Sequence, residues 1–371
     1  MRIVLVGKNA DHVLAYRGSL IRAAQARGHE VHAITGPSRL GTAPARLAEV
    51  GVPLHVVRFD GGGANPIRDA LSLRALTRTM RRLHPDAVLC YNPKSIAYGP
   101  IAARAAGVRR VVAMVTGLGY AFTGSGLRRR LVRLASTRLY RRAFARCDVV
   151  FLQNPDDRDL LRELGCLPPP AQVRLLPGSG VDLERFTEQP LPLRTRFLMI
   201  ARLLRDKGVP EFVAAARQVH VTHPAAEFAL IGGPDPNPTA VPAVEIERWR
   251  RAGVPELVDE VEDVRPHLAA CTVFVLPSHR EGTSKVMLEA MATGRAVITT
   301  DAPGCREPVE PGVNGLLVAV GDSEALAETM RRLADDRAQV ERMGREGRRI
   351  AETRYDARVV DAEVMAALEG C

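Results

Sequence analysis

The chain has 371 residues, 46% hydrophobic and 25% charged, with a net charge of +10 at neutral pH. That is enough apolar sequence for the cores of two ordinary domains, so the chain reads as globular. Its longest apolar stretches, such as Val111–Val115 and Val273–Leu276, fall far below the roughly 18 residues needed to cross a bilayer. Residues 1–187 carry 29 Lys and Arg against 13 Asp and Glu, and residues 188–371 carry 23 against 29. One half is +16 and the other −6, which points the first half toward an anionic partner, a nucleic acid or a phospholipid surface.

The opening apolar run Ile3–Val6 is interrupted at once by Gly7, Lys8, Asn9 and Asp11. It is too short for a signal-peptide core and reads as a first strand. A helix from about Leu14 to Arg27 follows, closed by Gly28 after a basic last turn. Apolar runs at Val31–Ile34, Ala87–Leu89, Val111–Val115 and Val149–Leu152 then alternate with longer amphipathic segments, the βα rhythm of a parallel sheet. Residues 127–144 space apolar positions three or four apart with arginines on the other face, which reads as a basic amphipathic helix. Such a helix lies on anionic lipid, each arginine contributing on the order of 1 kcal/mol; alternatively its apolar stripe faces the sheet and the arginines solubilise it. Aromatics make up only 4% of the chain and only Tyr140 and Phe144 fall in this run, too few for a base-stacking platform, which argues against nucleic acid.

Residues 167–192 hold three proline- or glycine-rich breaks, Pro168-Pro169-Pro170, Pro177-Gly178-Ser179-Gly180 and Pro190-Leu191-Pro192, as expected of a domain junction, with a linker near 183–195. A second strand series follows at Phe197–Ala201, Glu227–Ile231, Val273–Leu276 and Ala296–Thr299. The expected class is therefore α/β, two Rossmann-like doubly wound domains facing across a cleft. Residues 1–185 would form the first, 186–355 the second, and 356–371 a last helix crossing back. Ligands of such sheets bind beyond the carboxyl ends of the strands.

The six cysteines show neither close pairing nor zinc-ligand spacing, which fits reduced thiols in a cytoplasmic protein. His220 and His223 lie three apart, as metal ligands do, but Pro224 follows without an acidic partner. Asp157-Arg158-Asp159 matches the acidic pair of metal-dependent transferases. It also follows Asn154-Pro155, so capping and dipole complementation account for it. No metal and no cofactor are expected.

The most informative stretch runs from Ser278 through His279, Arg280, Glu281, Gly282, Thr283, Ser284, Lys285 and Val286 to Glu289 and Ala290, directly after the strand Val273–Leu276. It reads as strand, loop and helix. A helix beginning near Ser284 offers its first amides to a diphosphate. Glu281 before the first turn and Glu289 more than a turn inside it reach two parts of one extended ligand. In the other strand series Arg202 and Lys207 follow a strand and precede a helix. Two fixed cations of this kind stabilise a departing diphosphate without a divalent ion. The segment Val6-Gly7-Lys8-Asn9 lacks the three spaced glycines of a nicotinamide site, although its amides can approach phosphates.

Two glutamates separated by seven residues, with Gly282 after the first and Ala290 after the second, resemble the signature of family 4 retaining glycosyltransferases, enzymes of the GT-B fold. The resemblance implies that Glu281 meets the donor sugar, Glu289 the ribose, and the amides near Lys285 and Val286 the diphosphate, with Arg202 and Lys207 on its oxygens. It extends over nearly the whole chain. Leu176–Asp182 is similar to the family's interdomain turn, and Ile231-Gly232-Gly233-Pro234-Asp235 to its loop near the nucleotide base. Asn65-Pro66, Lys94-Ser95, Gly117-Leu118-Gly119-Tyr120, Asn237-Pro238 and Gly304-Cys305 more narrowly resemble transferases that extend lipid-linked oligosaccharides with N-acetylgalactosamine.

The implied donor side comprises Gly7, Gly233, Gly282, Ser284, Lys285, Val286 and Glu289. Catalytic roles fall to Glu281, Arg202 and Lys207, and the acceptor side to Lys94, Arg17, Gly117 and Gly119. Pro93 stands where many relatives carry a histidine, and Lys94 is expected to bind acceptor phosphate or donor oxygen instead. The implied function is retaining transfer of an N-acetylhexosamine from a UDP-sugar to a polyprenyl-diphosphate glycan. The protein is expected in the cytoplasm, peripheral on the inner face of the membrane. The rivals are a nucleotide-sugar epimerase of the same architecture, a nicotinamide-dependent oxidoreductase and a non-catalytic basic scaffold.

Overall fold

Each apolar run read from the sequence is a buried strand of a parallel sheet. The structure is a computed structural model and describes residues 1–38, 41–58, 66–118, 122, 127–169, 172–235 and 237–370. The chain forms two units, one of Met1–Ser179 with Ala357–Cys371, the other of Gly180–Asp356. The change of unit thus falls at Ser179/Gly180, inside the segment Pro177–Gly180 and ahead of the linker expected near 183–195.

In the first unit the chain runs β1 (Arg2–Asn9), α1 (Val13–Ala26), β2 (Glu30–Gly36), α2 (Ala43–Glu49), β3 (Leu54–Val56), α3 (Pro66–Leu83), β4 (Ala87–Tyr91), α4 (Pro93–Ala105), β5 (Arg110–Val115), α5 (Leu127–Phe144), β6 (Val149–Leu152), α6 (Pro155–Glu163) and β7 (Val173–Leu175). The sheet order is β3-β2-β1-β4-β5-β6-β7, and every pairing is parallel. Strands β4 and β6 are buried at every position, as expected where helices cover both faces of a parallel sheet.

The second unit contains β8 (Arg196–Ile200), α7 (Val209–Thr222), β9 (Glu227–Ile231), α8 (Ala243–Ala252), β10 (Glu256–Val258), α9 (Arg265–Ala270), β11 (Val273–Leu276), α10 (Lys285–Ala292), β12 (Ala296–Thr300), β13 (Gly315–Val318), α11 (Ser323–Asp335) and α12 (Arg337–Arg354). Its order, β10-β9-β8-β11-β12-β13, repeats the winding of the first sheet. In both, the chain returns to the middle and reverses direction, between β1 and β4 and between β8 and β11. That reversal leaves the loops after the two central strands diverging, which opens a crevice beyond their carboxyl ends.

The last helix, α13 (Ala357–Glu369), belongs to the first unit. It buries Val360, Val364, Met365 and Leu368, each worth roughly 1.5–3 kcal/mol. Glu369 closes it against Arg27 at 3.0 Å and His29 at 2.8 Å. Helix α5 coincides with the basic amphipathic segment read from the sequence. It buries Thr137, Tyr140, Ala143 and Phe144 and exposes Arg130, Arg133, Arg138, Arg141 and Arg142. Arg141 also donates to the carbonyls of Gly165 and Leu164, so one arginine of the basic face holds the chain end after α6. Among the described residues no helix is long and apolar enough to cross a membrane.

Candidate functional site

The crevice of the second unit is built from the loop after β8 and the loop after β11. The first carries Arg202 and a short turn, Arg205–Lys207, capped by Gly208 at φ 74°. A side chain at Gly208 would meet the Pro277 carbonyl oxygen at 2.0 Å, so the absence of one lets the two loops touch. Ser278 Oγ and the His279 amide both donate to the Asp206 carbonyl, at 3.1 and 2.9 Å. Across this seam the Lys207 ammonium bonds Glu281 Oε1, with side chains 20% and 12% exposed. A nearly buried ion pair adds little net stability because both partners are desolvated; its value here is two opposite charges fixed in one place.

From below, the turn after β12 supports the Glu281 loop. The Glu281 amide donates to the Pro303 carbonyl at 2.9 Å, Thr300 Oγ1 donates to the Ser278 carbonyl, and Gly304 lies against the backbone of Glu281 and Gly282. Helix α10 then starts at Lys285. Ser284 is its N-cap, and its hydroxyl accepts the Met287 amide at 3.4 Å. The amides of Lys285 and Val286 precede that bond and have no acceptor within the helix, so the start of α10 presents positive dipole beside Lys207 and Glu281.

Glu289 lies one turn further in, 8% exposed. Burial pushes its carboxyl up to about 7, against the pull of Lys285 and Arg185, while Asp263 adds to the rise. Lys285 Nζ is 3.9 Å away. Arg202 is engaged elsewhere: its Nη1 donates to Asp235 Oδ2 at 2.9 Å, and Asp235 follows the Gly232-Gly233 loop. Gly233 packs so closely that an added Cβ would sit 3.0 Å from Glu260 Oε2. Gly282, Ser284, Lys285, Val286 and Glu289 thus share one strand-loop-helix with Glu281, and Lys207 joins them across the seam. Arg202, on the loop after β8, and Gly233, on the loop after β9, come together where the Leu203 amide donates to the Gly233 carbonyl at 3.1 Å.

Around the corresponding strand ends of the first unit lie Gly7, Arg17 and Lys94. The Lys8 amide donates to Asn92 Oδ1 at 3.0 Å, and Asn92 holds an unusual φ of 117° to turn β4 into α4. Pro93 is the first residue of α4, where its missing N–H has no cost. Lys94 Nζ is 3.2 Å from Asp69 Oδ1. Arg17 is 3% exposed, lies 4.7 Å over the Tyr91 ring and donates to Ser179 Oγ at 3.2 Å. Burial lowers its pKa. Gly7 abuts Tyr91, whose hydroxyl would lie 2.6 Å from a Cβ there. Gly117 follows β5 with φ 122°; Gly119 lies outside the described residues, as does Asn65.

The acidic and histidine residues weighed as metal ligands have protein partners. Asn154 caps α6 by accepting the Asp157 amide at 2.7 Å, Asp159 pairs with Arg158 and Arg162, and His223 pairs with Asp335 at 3.1 Å. Sequence reasoning named Asp235 and His279 only as members of their motifs and missed their contacts with Arg202 and Glu211, as well as Asp69 beside Lys94. His279 and Glu211 are joined at 2.8 Å; the bond raises the His279 pKa against desolvation. No local pattern marks these pairings, because each residue meets its partner from another part of the chain.

Two protein-family models match the chain: one described as glycosyl transferase 4-like domain over residues 13–179, the other as glycosyl transferases group 1 over residues 194–336. The chain is 26% identical over 350 residues to the N,N'-diacetylbacillosaminyl-diphospho-undecaprenol alpha-1,3-N-acetylgalactosaminyltransferase of Campylobacter jejuni, covering 91% of this chain and 90% of that protein. It is 28% identical over 287 residues to the UDP-Gal:alpha-D-GlcNAc-diphosphoundecaprenol alpha-1,3-galactosyltransferase of Escherichia coli, covering 73% and 72%. Among solved structures, Anabaena HepE in complex with UDP and glucose matches with a TM-score of 0.81 at 18% identity, covering both chains in full. Sucrose-phosphate synthase of Thermosynechococcus elongatus matches at 0.84 and 20%, covering 100% and 98%. These two establish a shared fold.

Proposed function

Since the chain belongs to the glycosyltransferases built from a 4-like domain and a group 1 domain, we propose that it transfers an N-acetylhexosamine from a UDP-sugar to a polyprenyl-diphosphate-linked glycan, with retention and without a metal ion. Membership removes the epimerase and oxidoreductase readings. The donor and acceptor classes rest on the names of the Campylobacter and Escherichia relatives, and UDP also on the ligands of HepE.

The observation that carries the reading is the meeting of Lys207 and Glu281 at the start of α10. Lys207 and the amides of Lys285 and Val286 hold the diphosphate, Arg202 leaves Asp235 to join them, Glu289 takes a ribose hydroxyl and Glu281 a sugar hydroxyl. The bond from the anomeric carbon to the diphosphate oxygen breaks as charge builds on that oxygen, where fixed cations and dipoles act most strongly. The acceptor hydroxyl attacks from the face the diphosphate is leaving, and its proton passes to the departing phosphate oxygen. No separate base is required, which agrees with Pro93 at the position where many relatives carry a histidine. Lys94 and Arg17 serve the acceptor side. The arginines of α5 hold the protein on the inner face of the membrane by attraction to anionic lipid.

A panel of nucleotide sugars offered with lipid-linked acceptors, with and without chelator, tests this. The expected result is acceptor-dependent release of UDP that survives chelation and yields an α-linked product. Consumption of donor without acceptor, or silence once divalent ions are removed, overturns it.

A further inference from the structure

The two groups central to the proposed transfer, Lys207 and Glu281, sit on different loops, and their relative position depends on what binds those loops together. Backbone and hydroxyl bonds to the Asp206 carbonyl provide part of the seam. One side chain spans it to a third element. His279, two residues before Glu281, uses its amide on Asp206 at 2.9 Å and its Nε2 on Glu211 Oε1 at 2.8 Å. Glu211 lies in the first turn of α7, directly after the turn that carries Lys207. Its side chain is 16% exposed, and its Oε2 is buried without a hydrogen-bond partner. A carboxylate so desolvated holds strongly to the cationic or donor group it has, and loss of that group leaves it uncompensated. The charged groups acting on the pair are Asp206, beside His279, and Arg205, beside Glu211.

We propose that His279 is a positioning residue: pinned to Glu211 and to the Asp206 carbonyl, it locks the Glu281 loop onto the Lys207 turn and the start of α7. It does not touch the donor itself, and the assignment rests on the donor-site reading above. The imidazole acts as a hydrogen-bond strut, so a side chain of similar reach with an N–H donor replaces it and a truncated one does not.

The test is steady-state transfer by the full chain from UDP-sugar to a lipid-linked acceptor, comparing the parent with His279→Ala and His279→Gln. The expected result is a kcat lower by about 10- to 100-fold in His279→Ala, as misplacement near 1 Å implies, with KM for acceptor unchanged, and recovery to within about threefold in His279→Gln, where the strut is restored. If His279→Ala does not fold, Glu211→Ala and Glu211→Gln read the same bond from its other end, with the alanine variant slow and the glutamine variant near normal. A folded alanine variant at either position that turns over at the parental rate overturns the assignment. So does a glutamine variant as slow as its alanine counterpart. A parent that transfers from no UDP-sugar overturns the donor reading instead, a result visible before any variant is made.

Discussion

Adding one methyl group at Gly304 tests whether the Glu281 loop is seated as tightly as the structure shows. Gly304 has φ +77°, and a Cβ there would lie 2.1 Å from the Glu281 carbonyl oxygen, 2.3 Å from its carbon and 2.6 Å from the Gly282 oxygen. All three are backbone atoms, so no rotamer change relieves the overlap, and the loop must rise by roughly 1 Å. The left-handed backbone costs an alanine about 1–2 kcal/mol and the overlap about 1–3 kcal/mol more. Gly304→Ala should therefore lose about 2–5 kcal/mol of stability, a fall of roughly 5–15 °C in Tm for a unit of this size. The same displacement moves the Glu281 carboxylate from Lys207, and misplacement of this order costs about 100-fold in rate. Differential scanning fluorimetry and steady-state transfer read the two effects separately. An unchanged Tm would refute the close approach; a destabilised variant that still turns over at the parental rate would refute the link between loop position and chemistry.

Glu289 offers a pH test. Its carboxyl is pushed by burial from an ordinary value of 4.5 to about 7, so the stability from its preferred protonation is fully present below pH 4.5 and is lost as pH rises through about 7. The total is roughly 3 kcal/mol. Glu289→Gln should flatten the fall in Tm between pH 5 and 8 and raise Tm at pH 8, while weakening UDP binding measured by calorimetry; an unaltered pH slope would count against it. On α5, changing the exposed Arg130, Arg133 and Arg138 to glutamine removes about 3 kcal/mol of lipid attraction. Cosedimentation with anionic vesicles at low salt should weaken by about 100-fold, and undiminished binding would show that another surface meets the membrane.

The central strands and the two-unit plan were legible because buried parallel strands are continuous apolar runs: Val273–Leu276 and Val149–Leu152 are β11 and β6 to the residue. The edge strands were not, neither β13 nor the shorter β3, β7 and β10. Leu54–Val56, Val173–Leu175 and Glu256–Val258 are three residues each and partly exposed, so no periodicity distinguishes them from loop. In the site, Glu281, Glu289 and the α10 start were legible because they share one strand-loop-helix. Lys207 was legible as a cation before a helix, though not its bond to Glu281, 74 positions away. Arg202 illustrates the limit: the sequence places it beside the diphosphate, whereas in the structure Asp235 occupies its guanidinium, a contact fixed by the fold of the Gly232-Gly233 loop.

The most direct measurement is transfer from UDP-sugar to a lipid-linked acceptor by Lys207→Ala, in chelator, beside its parent and with circular dichroism of both. Removing the ammonium takes away the cation that bonds Glu281 Oε1 beside the start of α10, so turnover should fall by at least about 100-fold in a protein of unchanged secondary structure. Turnover by Lys207→Ala within a few fold of the parent would contradict the claim that this side chain supports the departing diphosphate.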